Sequence, residues 1–256
     1  MIVLVTGATA GFGKAIALRL LKEGHRVIGT GRRPEKLADL AAAYPDTFTP
    51  LAFDIQDLAA MKAALASLPA DLQNIDVLVN NAGLAKGLDP AYKADLDNWA
   101  QMINTNVVGL TNLTALVLPQ MVKRHTGYII NFGSIAGTYA YPGGNVYGAT
   151  KAYIRQFSFN LRADLVGTGV RVTNIEPGLC GGTEFSEVRF NGDTQKAAAV
   201  YENIDYVTSE DIADIVSYLI NTPKHVNINS LEVMHTAQSF NPLRVDKKDF
   251  RVELED

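Results

Sequence analysis

Short apolar stretches rich in β-forming residues alternate with longer stretches of helical periodicity along the whole chain. Seven of the short stretches predict β-strands, at residues 2–5, 26–30, 48–53, 75–80, 128–132, 170–175 and 231–234. This alternation is typical of βαβ units, and the first strands lack polar alternation, as in a parallel sheet covered on both faces. We therefore predict an α/β fold with a doubly wound parallel sheet of about seven strands flanked by helices.

One of the predicted strands has a feature that fixes its place in the sheet. Pro50 lies inside the third stretch, and proline has no N–H to donate to a central ladder of hydrogen bonds. We therefore expect this strand at an edge of the sheet.

The chain shows no repeat, linker or composition shift that would divide it. We expect one domain over residues 1–240 and a charged C-terminal tail over residues 241–256. Residues 182–206 are polar and fit no clear element, which is typical of a segment that covers a site.

A glycine-rich turn follows the first predicted strand and precedes a helical stretch. Its glycines, Gly7, Gly11 and Gly13, have the spacing Gly-x-x-x-Gly-x-Gly. Glycines at the beginning of a helix let the backbone approach a pyrophosphate, which the free N–H groups and the helix dipole both favour. A glycine-rich turn alone also occurs without a ligand, but the order strand, turn, helix favours a dinucleotide site in a Rossmann-type fold.

The end of the second predicted strand indicates which dinucleotide is bound. No Asp or Glu is available there for a ribose 2′-hydroxyl, whereas Arg32 and Arg33 follow Gly31 directly. Arginine carries charge and a fork of donors that suit a 2′-phosphate, so the sequence favours NADP over NAD. The alternative is that both arginines are merely solvated.

Composition narrows the class of partner to small molecules. The formal net charge is −4 and 20% of residues are charged, so no broad cationic surface indicates nucleic acid or an anionic membrane. Cys180 is the single cysteine and cannot form an intrachain disulfide, which is typical of a reducing compartment. The first apolar run is only five residues long, so we expect a strand there and no signal or anchor. The four histidines are scattered, and we expect neither a metal site nor a Ser-His-Asp triad.

A tyrosine and a lysine stand four residues apart in the segment "NVYGATKAY", at Tyr147 and Lys151. In a helix, positions four apart share one face. An ammonium beside a phenol favours the ionised phenol, so Lys151 is expected to lower the pKa of Tyr147. The alternative is an ordinary pair on a solvated helix face.

Taken together, these motifs resemble the short-chain dehydrogenase/reductase superfamily. The resemblance rests on "TGATAGFG", "NNAG" at residues 80–83, Asn106, Ser134, the Tyr147 and Lys151 pair, and "PG" at residues 177–178. Within the superfamily, "GGNVYGATKA" and "IEPGLCGGTEFSEVRF" resemble the NADP-dependent 3-hydroxy acid dehydrogenases. Members of that subfamily oxidise serine, allo-threonine and related 3-hydroxy acids and reduce malonic semialdehyde. The resemblance implies a cytoplasmic homotetramer without nucleic-acid or membrane partners.

The resemblance also implies a catalytic role for four residues. Tyr147 would be the general acid and base, and Lys151 would lower its pKa and bind the nicotinamide ribose. Ser134 would hydrogen-bond the reacting oxygen, and Asn106 would hold a water that links Lys151 to solvent. Taken singly, Ser134 could be an ordinary strand-end serine and Asn106 an amide that bonds locally within a helix.

Contacts with NADP(H) are implied for a larger set of residues. Asp54 resembles the residue that touches the adenine, and Asn81 and Gly83 those that pack against the adenosine half. Asp54 could also cap a turn, and the Asn-Asn-Ala-Gly run could mark a transition from strand to loop. The full set is Gly7, Thr9, Ala10, Gly11, Phe12, Gly13, Arg32, Arg33, Asp54, Ile55, Asn81, Gly83, Asn106, Tyr147, Lys151, Pro177, Gly178, Gly181, Thr183 and Phe185.

A 3-hydroxy acid carries a carboxylate that Ser134 and Tyr147 cannot neutralise. Arg189, in the segment that is expected to close over the site, has a planar fork suited to a carboxylate and completes the predicted substrate-binding set. The alternative is that Arg189 forms an exposed ion pair with Glu184 or Glu187.

Two other functions are compatible with these motifs. The first is a reductase of larger ketones, aldehydes or sugars. The second is an NADP(H) sensor without turnover, because a fold alone does not establish a function. The presence of Ser134, Tyr147 and Lys151 together favours the enzyme.

Overall fold

The computed structural model describes residues 1–240 except residues 203 and 205. Within this range seven strands form one parallel sheet: β1 (Ile2–Thr6), β2 (Arg26–Gly31), β3 (Phe48–Ala52), β4 (Val77–Asn80), β5 (Gly127–Phe132), β6 (Val170–Pro177) and β7 (Ser230–Val233). The seven predicted strands and the doubly wound fold are confirmed, with strand ends shifted by one or two residues. The predicted charged tail over residues 241–256 lies outside the described residues.

Helices cover both faces of the sheet. In the described ranges they are α1 (Gly11–Lys22), α2 (Pro34–Ala43), α3 (Leu58–Ala66), α4 (Leu96–Ile103), α5 (Leu110–Lys123), α6 (Asn145–Asp164), α7 (Phe185–Arg189), α8 (Thr194–Ala199) and α9 (Ser209–Asn221). A π-helical turn, Asn104–Gly109, joins α4 to α5. None of the helices described is both long and apolar enough to cross a membrane.

The core consists of one apolar cluster on each face of the sheet, because successive residues of a strand point to opposite faces. Val3 and Val5 pack with α1 and α9 on one face, whereas Leu4 packs with α5 and α6 on the other. These three residues are fully buried. Strands buried on both faces have no polar alternation, which is the pattern that the sequence shows.

The strand order is β3-β2-β1-β4-β5-β6-β7, so the direction of winding reverses between β1 and β4. In an open α/β sheet, ligands bind in the crevice outside the carboxyl ends of the strands at such a reversal. Pro50 lies in β3, which is an edge strand, as its missing N–H predicts.

A buried chain of polar side chains fixes α5 and α6 to the centre of the sheet. The Asn80 amide donates to Thr114 on α5 at 2.9 Å and to Asn131 on β5 at 2.8 Å. Asn131 in turn donates to Ser158 on α6 at 2.9 Å. Buried side chains that are hydrogen-bonded to one another in this way favour one arrangement of the elements that carry them.

Residues 182–206 contain more regular structure than their polar sequence predicts. The two short helices α7 and α8 lie in this segment, together with the turns around them. Helices of this length are unstable in isolation, so their contacts with the rest of the domain maintain them.

The buried helix contacts predict the cost of a core truncation. Leu20 of α1 is fully buried, so Leu20→Ala removes packed methyl groups and should lower the free energy of unfolding by about 2–5 kcal/mol. Leu96→Ala is the matched control, because Leu96 also lies in a helix but is 73% exposed, and its effect should stay within about 0.5 kcal/mol. Urea unfolding of both variants checks this, and equal losses would contradict the assigned core.

Candidate active site

A cavity of about 940 Å³ opens at the carboxyl edge of the sheet, where the turn after β1 faces the loop after β4. The structure brings all the predicted site residues to its wall except Gly13, Asn106 and Gly181. Gly13 packs against Gly7 and Asn81, and Asn106 is bonded to Leu84, all of which line the cavity. The cavity is large enough for a dinucleotide together with a small second molecule.

The glycine turn can adopt its conformation only because glycines occupy three of its positions. Gly7 has φ +69° and Gly11 has φ +50°, which are strained for other residues. A Cβ on Gly13 would lie 2.2 Å from the Gly7 carbonyl oxygen. Asn81 supports the turn from behind, because its side-chain amide donates to the Thr6 carbonyl at 2.8 Å and its backbone N–H to the Thr6 hydroxyl at 2.9 Å. This bare backbone at the start of α1 fits a pyrophosphate.

The two predicted arginines differ in their surroundings. Arg32 is exposed and faces the cavity. Arg33 donates to the Thr9 hydroxyl at 2.9 Å and forms a two-pronged ion pair with Glu184 at 2.9 and 3.1 Å. Arg33 is therefore not merely solvated. Its hydrogen bond, followed by the pair with Lys36, holds the pKa of the Glu184 carboxyl below its usual range.

Tyr147 and Lys151 lie on the inner face of α6 and are 8% and 6% exposed. The alternative of a solvated helix face is therefore wrong. The Lys151 ammonium lies 5.7 Å from the centre of the Tyr147 ring and donates to the Phe132 carbonyl at 2.8 Å. Burial lowers the pKa of Lys151 to about 8, because the protein interior disfavours its charged form.

The pKa of Tyr147 is raised, whereas the sequence predicted that Lys151 would lower it. Burial raises the pKa of Tyr147 to about 12, although the charge of Arg189 and the hydroxyl of Ser134 act against this effect. The expected net lowering by Lys151 is wrong for this structure. Desolvation of the phenolate outweighs the opposing effect of the positive charge on Arg189, which is itself larger than that of the Ser134 hydroxyl.

Ser134 combines a local role with a place in the site. It follows β5, accepts a hydrogen bond from the Ala136 N–H at 3.1 Å and donates to the Pro177 carbonyl at 3.4 Å. Its hydroxyl also lines the cavity beside Tyr147. The strand-end role and the site position therefore hold together.

Asn106 lies in the π-helical turn and is fully buried. Its amide oxygen accepts from the Leu84 N–H at 2.9 Å, and its amide nitrogen donates to the Leu84 carbonyl at 2.8 Å and to Thr150 at 3.1 Å. A Cβ on Gly83 would lie 3.3 Å from the Asn106 oxygen and 3.5 Å from the Lys151 ammonium. These three residues therefore converge, and a water that joins Asn106 to Lys151 stays a prediction.

Asp54 also has two compatible roles. Its carboxylate accepts from the Gln56 N–H at 3.0 Å, which caps the turn after β3, and it lines the cavity together with Ile55. Gly181 is packed against Tyr206, since a Cβ at this position would lie 2.5 Å from the Tyr206 ring.

Arg189 lies inside the site, with three aromatic rings around it. Its guanidinium donates to the Tyr141 hydroxyl at 2.9 Å and lies 5.1 Å from the ring centres of Tyr147 and Phe185. Its buried Nε has no hydrogen-bond partner within the described part of the chain. The alternative of an exposed ion pair with Glu184 or Glu187 is wrong, because Glu184 pairs with Arg33 and Lys36 instead and Arg189 forms no ion pair within the described residues.

Sequence reasoning missed Glu184, Lys36 and Tyr141 as parts of this region. Glu184 meets Arg33 across 151 positions of sequence and Lys36 across 148. Tyr141 meets Arg189 across 48 positions. No short motif joins residues so far apart, and the tyrosines near the beginning of α6 were the only available signal for the last contact.

Comparisons with known proteins agree with this geometry. The family model described as short chain dehydrogenase matches residues 1–193. A probable NADP-dependent dehydrogenase of Haemophilus influenzae is 61% identical over 96% of this chain and 97% of its own length. The NADP-dependent 3-hydroxy acid dehydrogenase YdfG of Escherichia coli O6:H1 is 55% identical over 97% of this chain and 100% of its own length.

A solved structure gives the same result for the fold and the cofactor. The closed form of serine dehydrogenase complexed with NADP+ superimposes with a TM-score of 0.96 and is 55% identical in sequence. The match covers 97% of this chain and 100% of that chain.

The buried ammonium of Lys151 predicts how stability depends on pH. The pKa of Lys151 is about 8 in the folded chain and 10.5 when the side chain is not buried. The unfolded chain therefore binds more protons between these two pH values. The free energy of unfolding therefore rises with pH through this window, by roughly 2 kcal/mol from pH 7.5 to 9.5. Urea unfolding should show this gain in the wild type and not in Lys151→Met. Equal pH slopes for the two proteins would contradict the assigned shift.

Proposed function

The chain belongs to the short-chain dehydrogenase family, and we propose that it oxidises small 3-hydroxy acids at the hydroxyl carbon. It is an NADP-dependent oxidoreductase that acts on CH–OH groups. The proposed substrates are serine, allo-threonine and 3-hydroxypropionate, and the reverse reaction is reduction of malonic semialdehyde. Homotetrameric assembly and a cytoplasmic location belong to the proposal through the family resemblance alone.

The position of Arg189 carries this proposal. Its guanidinium is 5.1 Å from the centre of the Tyr147 ring, and its charge is among the causes that act on the pKa of Tyr147. A 3-hydroxy acid has its hydroxyl carbon two carbons from its carboxylate carbon. One small molecule can therefore place its carboxylate on Arg189 and its hydroxyl on Tyr147. A fork-shaped donor in a partly desolvated site favours an anion over an uncharged alcohol.

Three residues act on the proton of the reacting hydroxyl. The phenol oxygen of Tyr147 takes this proton during oxidation and returns it during reduction. Ser134 holds the reacting oxygen and opposes the raised pKa of Tyr147, and Lys151 lies 5.7 Å from the centre of the Tyr147 ring, next on the proposed proton path. When bound, the nicotinamide supplies the acceptor or donor of hydride.

The proposal extends to the remaining predicted contacts with NADP(H). The turn of Gly7, Gly11 and Gly13 would hold the pyrophosphate, and Arg32 and Arg33 would bind the 2′-phosphate. Asp54, Asn81 and Gly83 would contact the adenosine half, and Lys151 would bind the nicotinamide ribose. Besides Tyr147 and Lys151, the other proposed cofactor contacts are Thr9, Ala10, Phe12, Ile55, Asn106, Pro177, Gly178, Gly181, Thr183 and Phe185.

Arg189→Met tests the substrate class. The variant should lose roughly ten- to hundredfold in kcat/KM for 3-hydroxypropionate, because a hydrogen bond to a charged group is worth about 1.5–3 kcal/mol. Its kcat/KM for the uncharged methyl 3-hydroxypropionate should fall much less, because that ester loses only the effect of the Arg189 charge on the pKa of Tyr147. Arg162→Met, in the last turn of α6, is the control for loss of an arginine. A wild type that prefers bulky ketones to every 3-hydroxy acid would reject the proposal.

Tyr147→Phe tests the acid and base. The variant keeps the ring and loses the ionisable oxygen, so kcat should fall by about 10²–10⁴-fold while NADPH fluorescence still reports binding. Because the phenol holds its proton with a pKa of about 12, wild-type oxidation should accelerate as pH rises from 7 to 10. Tyr153→Phe on the same helix is the matched control, since Tyr153 is exposed and contacts Thr111. Wild-type kcat in Tyr147→Phe would exclude the assigned role.

A further inference from the structure

Glu184 joins three separate segments of the chain. Its carboxylate is 2.9 and 3.1 Å from the two terminal nitrogens of Arg33 and 3.0 Å from the Lys36 ammonium. Arg33 in turn donates to Thr9 in the glycine turn at 2.9 Å. An isolated exposed ion pair contributes little, but a two-pronged arginine pair within a network of charges holds a defined geometry.

The same residue begins the helix that carries Arg189. Helix α7 has five residues, Phe185–Arg189, so Glu184 and Arg189 stand at its two ends, about 8 Å apart at a rise of ~1.5 Å per residue. At the Arg189 end, the Gly87 N–H donates to the Arg189 carbonyl at 2.9 Å. Such a short helix needs contacts at both ends to keep its place, and the ion pairs of Glu184 supply them at its N-terminal end.

We propose that Glu184 is a positioning residue that links the 2′-phosphate site to the substrate site. Its carboxylate fastens α7 so that Arg189 faces Tyr147, and it pairs with Arg33, which the proposed function assigns to the 2′-phosphate, and with Lys36 beside it. The roles of Arg189 toward the substrate and of Arg33 toward NADP(H) both rest on the proposed function.

This double role gives two effects of opposite sign. Without the carboxylate, both Arg33 nitrogens and Lys36 are released toward a 2′-phosphate, so NADPH should bind more tightly. The same change frees the beginning of α7, so Arg189 is held less well and a carboxylate substrate should bind less tightly. A residue that only supported the fold would weaken both.

The test compares Glu184→Gln with Glu187→Gln. Glu187 lies on the same helix, is exposed and has no ion pair within the described residues, so the control removes the same charge. In fluorescence titrations, Glu184→Gln should bind NADPH roughly three- to tenfold more tightly and NADH unchanged. Its KM for 3-hydroxypropionate should rise about tenfold, with kcat within about threefold. Glu187→Gln should stay within about twofold of the wild type in each measurement.

Trypsin cleavage after Arg189 and Lys196 measures the anchoring of this segment without any turnover. Without NADPH, when no phosphate competes for Arg33 and Lys36, Glu184→Gln should be cut several times faster than Glu187→Gln, because opening of the segment exposes these sites. Lys36→Met should accelerate cleavage in the wild type and add nothing in Glu184→Gln.

The proposal is overturned if Glu184→Gln binds NADPH no more tightly than Glu187→Gln, or if the two are cut at equal rates. These readings stand even if the wild type turns over no 3-hydroxy acid, which would reject the substrate class alone.

Discussion

The reversal of strand order between β1 and β4 is the constraint on which the site depends. All seven strands run parallel, so the turns after their carboxyl ends lie along one edge of the sheet. At the reversal, the turns on either side lead away from each other and leave a crevice. The glycine turn after β1, the loop after β4 and the serine after β5 therefore face one cavity. The helices then bring Tyr147 and Lys151 to the same edge.

Burial governs the electrostatics of that cavity. It moves the pKa of Tyr147 up to about 12 and the pKa of Lys151 down to about 8, and both shifts favour the neutral form. Arg189, which stands against aromatic rings, adds a positive charge beside Tyr147. An anion on Arg189 and a proton on Tyr147 are therefore coupled, because each changes the field that acts on the other.

Local pattern predicted the elements well, since strands and the glycine turn depend on neighbours in sequence. Pro50 also identified an edge strand, because its missing N–H prevents the hydrogen bonding that a central strand requires. The contacts of Arg33 and Arg189 could not be predicted in this way, since Glu184 reaches Arg33 across 151 positions. The predicted direction of the pKa shift of Tyr147 was also wrong, because a spacing of four residues does not indicate how deeply the pair is buried.

The support of the glycine turn by Asn81 has a consequence for the order of folding. Asn81 holds Thr6 across 75 positions of sequence, and β1 pairs with β4 over a similar separation. Contacts between residues so far apart form slowly, because a long loop must close before they stabilise anything. On a growing polypeptide, the turn would be synthesised early yet lack its support until β4 had emerged. The nucleotide site is thus completed late, by the half of the sheet that does not contain its glycines.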